Sequence, residues 1–149
     1  MMTEEQVTKA ILSKLKDAGW HILTFDFPQS GTGKMLHHNH ANNEKNKGSI
    51  IPDIIAAKNQ TCLFFENKNR VDIDDFVKIN SIKIDGNYSH SINELIRGYD
   101  IHRVLFGIGI PTAKWNKRGA MNVHLVDFVI CVDEKGDLEF KSNLSDLEL

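Results

Sequence analysis

The chain has 149 residues, 41% of them hydrophobic and 26% charged, with a formal net charge of -2. This length buries a core without disulfide or metal support and suits a single domain over residues 1–149, while the composition excludes disordered and collagen-like chains. The charge excludes a protein that coats nucleic acid indiscriminately, but it is compatible with a local positive stripe.

At the N-terminus, MMTEEQ lacks the basic-then-apolar order of a secretory leader, and no apolar run reaches the roughly 20 residues that span a bilayer. A cytoplasmic protein with no membrane partner is therefore expected. Residues 3–18 read as a helix: Thr3 is the N-cap, Glu4 and Glu5 occupy the first turn, and Val7, Ala10, Ile11, Leu15 and Ala18 recur at helical spacing before Gly19. HILTFDF (21–27) has the β-branched and aromatic bias of a strand, closed by Pro28. Residues 28–48 are polar, with little apolar periodicity, and predict a long surface loop. SIIPDIIAA (49–57) and TCLFFENKN (61–69) follow as strands around a turn at KNQ. Asp72 is placed to cap a helix, and Ser91 with Glu94 makes a capping-box pattern before Leu95, Ile96 and Tyr99. HRVLFGIGI (102–110) is a strand, and VDFVICVD with DLEFK forms a hairpin around Glu134-Lys135-Gly136. This order suits a mixed sheet flanked by helices, an α/β fold. Cys62 and Cys131 lie in apolar runs and read as buried small hydrophobes.

A turn centred between Asn59 and Gln60 gives opposed residues a constant number sum of 119, which Asp53 and Glu66 meet. Opposed side chains share a face, with Cβ atoms about 4.5–5.5 Å apart. Two like charges so placed repel, and a divalent cation is the natural compensation. Lys68, two residues beyond Glu66, falls on the same face by strand alternation. Three charges at the end of strands otherwise made of Ile50, Ile51, Ile54, Ile55, Leu63, Phe64 and Phe65 require an explanation.

Pro52-Asp53, twelve residues, then Glu66-Asn67-Lys68 resembles the signature of the PD-(D/E)xK nuclease superfamily, which includes many type II restriction endonucleases, archaeal Holliday junction resolvases and several repair nucleases. The likeness takes in the preceding helix and strand and spans about residues 4 to 70, with a compatible helix and strand through Ile110. It implies a restriction-endonuclease-like core over about 3–110, to which a C-terminal hairpin at about 123–141 is added. It also implies phosphodiester hydrolysis, with Asp53 and Glu66 holding Mg²⁺, or Mn²⁺ in its place, and Lys68 orienting or activating water and offsetting phosphate charge. Members of the superfamily often add a glutamate from the first helix. Glu4, three residues before Val7, is favoured over Glu5, against the plainer reading that both complement the helix N-terminus.

Other polar groups have weaker claims. His37, His38 and His40 lack accompanying Cys or acidic ligands and read as a solvated or DNA-contacting loop rather than a zinc site. Ser30-Gly31-Thr32-Gly33-Lys34 lacks the spacing of a nucleotide-binding loop, although Lys34 suits a DNA phosphate. Lys45, Lys47, Asn67, Asn69 and Arg70 flank the site as candidate DNA contacts. In a second basic group, Lys114, Trp115, Lys117 and Arg118, the aromatic either stacks on a base or packs on the body. Asp72, Asp74 and Asp75 are accounted for by helix capping.

The reading that follows is a Mg²⁺-dependent endonuclease of double-stranded DNA, a type II restriction endonuclease or the catalytic subunit of one. The chain leaves little room for a target-recognition domain, so a homodimer, or a heterodimer with a larger recognition subunit, is expected. A resolvase-like or repair nuclease is the alternative within the same chemistry. From another class, the alternative is a nuclease-like fold that binds DNA or assembles with a partner without cutting.

Overall fold

Alternation along the strands assigns each apolar side chain to one of two helical layers. The computed structural model describes residues 1–27, 30–31, 35–37, 39, 49–141 and 147–149. Helix α1 (Glu4–Asp17) starts at Thr3, whose hydroxyl accepts from the Gln6 amide while the Gln6 side chain accepts from the Thr3 amide, a reciprocal cap. Strands β1 (His21–Phe27), β2 (Ser30–Gly31), β3 (Ile54–Lys58) and β4 (Thr61–Asn67) come next. Helices α2 (Ile73–Asp85) and α3 (Ser89–Ile96) then lead to β5 (Arg103–Pro111). Helix α4 (Lys117–Asn122) precedes β6 (Phe128–Val132) and β7 (Leu138–Phe140).

The strands form one mixed sheet in the order β2-β1-β3-β4-β5-β6-β7, with the two-residue β2 attached only through β1. β4, β5 and β6 are parallel, and β3 and β7 pair antiparallel on either side of them. The β3–β4 hairpin turns on Asn59 and Gln60, both with positive φ, the backbone that a two-residue hairpin loop requires. Its register runs from Lys58↔Thr61 to Ile54↔Phe65, as the sequence numbering predicts.

Val7, Ile11 and Leu15 of α1 bury Ile54, Leu63, Phe65, Phe128 and Ile130 on one face. On the other, Phe76 and Ile79 of α2 cover Ile108, Ile110, Val129 and Cys131, and Ile92 of α3 covers Ile55, Cys62 and Phe64. Both cysteines are free and buried. Among the described residues, no helix is long and apolar enough to cross a membrane.

Several expectations need correction. The segment read as a strand from Ser49 becomes one only at Ile54; Pro52, without an N–H, cannot extend the ladder, and Ile50 forms an isolated bridge with Leu36. Most of the expected 28–48 surface loop lies outside the described residues, but Leu36 is fully buried in the cluster with Ile55, Phe64 and Ile92. Ser91 does not cap α3. It sits inside the helix, its hydroxyl accepting from the His37 amide and donating to the His37 carbonyl, while Asn39 is tied to Gly86, Asn87 and Ser89. The C-terminal hairpin is no appendage either: β6 is buried throughout and pairs with β5 inside the sheet.

Candidate active site

The carboxyl end of β4 meets the start of β3 and the first turn of α1. Asp53 is held there through its main chain: its amide donates to the Phe65 carbonyl (2.9 Å), and its carbonyl accepts from the Asp26 amide (2.8 Å). The hairpin ladder ends one pair short of Asp53 and Glu66, because the Asp53 amide turns to Phe65 rather than continuing the register. Direct opposition of the two acids is thus replaced by a bend that carries the Asp53 carboxylate across to β4, where Oδ2 accepts from the Asn67 amide at 2.6 Å.

Burial drives the Asp53 carboxyl upward, to about 7 from 3.8. The Asn67 hydrogen bond and the Lys68 charge pull it down, and the neighbouring charges of Glu66 and Glu4 push it up. All three charged partners therefore act on one carboxyl group. Lys68 Nζ stands 3.5 Å from Glu66 Oε1 and 3.6 Å from Asp75 Oδ1. Desolvation alone would lower its affinity for a proton, but Asp75, Glu66 and Glu4 outweigh that, so the ammonium is held more firmly than usual. Asp75 is itself raised, by burial first and against the attraction of Lys68.

Of the two glutamates at the start of α1, Glu4 lines a cavity of about 240 Å³ with Lys68, Asn69, Arg70, Asp72 and Asp75. Glu5 pairs along the helix with Lys9 at 3.4 Å. Asn69 and Arg70 are exposed where they line this cavity. Lys34, Lys45 and Lys47, as well as His38 and His40, lie outside the described residues.

Asn67, read from the sequence as a DNA contact, has to be reassigned. It is 1% exposed, on the α1 side with Leu63 and Phe65, and its Nδ2 donates to Thr8 Oγ1 at 3.0 Å. The alternation that places Glu66 with Lys68 puts Asn67 on the opposite face, so the signal was present in the sequence. Capping does not account for all three aspartates. Only Asp72 caps α2, through the Asp74 amide, which leaves Asp75 to bind Lys68. Trp115 is half-buried and packs against Gly119 and the α2 cluster, the packing alternative of its two readings.

Comparison with protein-family models finds no match, and neither does comparison with curated proteins. Among solved structures, an XisH family protein from Nostoc punctiforme superimposes with a TM-score of 0.41 and 14% identity, over 89% of this chain and 95% of that one. So loose a likeness transfers no function.

The site's own donors suit a hard divalent cation. Among the described residues, no three His, Cys, Asp or Glu side chains gather to ligate one ion. Mg²⁺ commonly takes only one or two carboxylates and completes its octahedron with water and phosphate oxygens. Asp53 and Glu66 supply such a pair, and the Asn67 amide engages Oδ2 of Asp53, not Oδ1. Burial, with Glu66 and Glu4 adding to it, raises the Asp53 carboxyl, and a cation placed beside it would favour its ionised form.

Proposed function

We propose that this chain is a Mg²⁺-dependent nuclease that hydrolyses phosphodiester bonds of double-stranded DNA, with Asp53 and Glu66 as the metal-holding pair. Mn²⁺ is expected to substitute. The observation that carries this reading is the gathering of Glu66, Lys68 and Glu4 around the half-buried carboxylate of Asp53 at the end of an apolar hairpin. Lys68 offsets only part of the negative charge of these acids, a cation would offset more, and the resemblance of Pro52-Asp53…Glu66-Asn67-Lys68 to the PD-(D/E)xK signature supplies the same pairing.

Each residue's part follows from its state. Asp53 and Glu66 would hold the cation, whose chemistry there would be to polarise the scissile phosphate and acidify water. Lys68 keeps its proton at neutral pH, so it serves to orient water by donating a hydrogen bond and to offset developing charge on the phosphate, and it is unsuited to act as a general base. Asp75 and Glu66 fix the position of that ammonium from two sides. Glu4 adds negative charge that favours cation uptake, and Arg70 with Asn69 meets the flanking backbone of the DNA.

Within this chemistry we favour a type II restriction endonuclease or the catalytic subunit of one, working as a homodimer or beside a larger recognition subunit. Incubating supercoiled plasmid with the protein and Mg²⁺ tests the reading. Discrete bands that vanish with EDTA and with Asp53→Asn are expected. Cleavage confined to branched DNA would move the assignment to a junction nuclease, and intact DNA of every form would refute it.

A further inference from the structure

The middle residue of Glu66-Asn67-Lys68 is the one whose side chain takes no place among the charges, yet it touches two of the elements that carry them. Its main-chain amide donates to Asp53 Oδ2 (2.6 Å). Its side-chain amide donates to Thr8 Oγ1 (3.0 Å), and Thr8 Oγ1 donates in turn to the Glu4 carbonyl (3.0 Å). One residue thus connects β3, through Asp53, with the first turn of α1, through Glu4. Resting on the nuclease reading above, we propose that Asn67 is a positioning residue: its main chain orients the Asp53 carboxylate, and its side chain, through Thr8, sets the turn that brings Glu4 to the metal site.

A structural role alone does not explain an asparagine here. The position faces α1 in series with Leu63 and Phe65, where an apolar side chain would pack at no polar cost. Among the described residues, the buried Asn67 Oδ1 has no hydrogen-bond partner, a cost that a leucine would not incur. The neighbouring strand is shaped to admit it: Gly109, paired with Asn67 across β4 and β5, has no room for a Cβ because Asn67 Oδ1 and Ile11 Cδ1 already fill the space. Departures from local packing rules of this kind concentrate where function requires them.

The test is a set of Mn²⁺ titrations by calorimetry on wild type, Glu4→Gln, Asn67→Leu and the double variant. Each single change should weaken Mn²⁺ binding about fivefold to tenfold, the equivalent of roughly one net hydrogen bond. The double variant should bind no more weakly than Glu4→Gln, because Asn67 acts through Glu4. Thr8→Val should reproduce the Asn67→Leu effect, and Thr8→Ser should restore the wild-type affinity. Equal weakening by Asn67→Leu with and without Glu4 would overturn the proposal, as would an unchanged affinity. Failure of the wild type to bind Mn²⁺ would refute the metal reading itself. The coupling would then be decided in metal-free protein by hydrogen exchange at the Val7 amide, which donates to Thr3 in the same turn. Faster exchange in Asn67→Leu and Thr8→Val, with Thr8→Ser unchanged, sustains the link, and no change in any variant overturns it.

Discussion

Replacing Asp53 with asparagine should make the metal-free protein more stable while abolishing its cleavage of DNA. The side chain is nearly isosteric, and an asparagine Oδ1 can still accept from the Asn67 amide that Asp53 Oδ2 now engages. The folded-state value of Asp53 lies at about 7 against an ordinary 3.8. A raised acid contributes stability that is complete below 3.8 and is lost as pH climbs through about 7, because over that window the unfolded chain gives up the proton and the folded one keeps it. At about 1.4 kcal/mol for each tenfold difference in proton affinity, the loss has a ceiling of about 4 kcal/mol, and partial relaxation of the site brings it to about 2–4 kcal/mol. Asparagine does not titrate, so the two proteins should coincide in acid and separate towards about pH 8, with the variant the more stable. Urea denaturation of both proteins across this range gives the difference, since the titrations of groups remote from Asp53 cancel. Added Mg²⁺ should then close the gap by stabilising the wild type alone. A stability difference that does not change with pH, or a variant less stable than wild type at the alkaline end, would refute the reasoning.

Asp75→Asn should slow cleavage about tenfold, roughly 1.4 kcal/mol of barrier, by releasing one of the two anchors of Lys68, with urea stability nearly unchanged; wild-type kinetics in this variant would show that Lys68 needs no second anchor. Gly109→Ala drives a methyl group into Asn67 Oδ1 and Ile11 Cδ1 and should cost about 1–3 kcal/mol in chemical denaturation. An unchanged denaturation midpoint there would mean that α1 shifts freely. Trp115→Ala should cost about 2–4 kcal/mol of stability through lost contacts with Gly119 and the α2 cluster. Its affinity for DNA, measured by fluorescence anisotropy, should stay at the wild-type value, and a large loss would restore Trp115 as a base-stacking residue.

How far the sequence discloses this site depends on the range of the interactions involved. The β3–β4 hairpin is legible because the polar Lys58-Asn59-Gln60 break between two apolar runs marks a turn, and apolar neighbours enforce the register it sets. The same rule fails one step later: at Asp53 the chain leaves the ladder, so its carboxylate meets β4 at the Asn67 amide rather than standing directly opposite Glu66. Thr3 and Asp72 were legible as caps because capping is local. Ser91 has the same local pattern but is claimed by His37, far away in sequence, and no short-range rule anticipates that. Asp75 was hidden similarly, since its partner Lys68 lies on another element. Asn67 differs from these: strand alternation places it opposite Glu66 and Lys68, so its burial under α1 is a short-range signal.

The most direct measurement is anomalous scattering from crystals soaked in Mn²⁺. Shared ligation predicts a peak within coordinating distance of both Asp53 and Glu66 in the wild type and no peak in Asp53→Asn. Wild-type crystals with no anomalous density between those two carboxylates, in soaks that label Mn²⁺ elsewhere, would contradict the account.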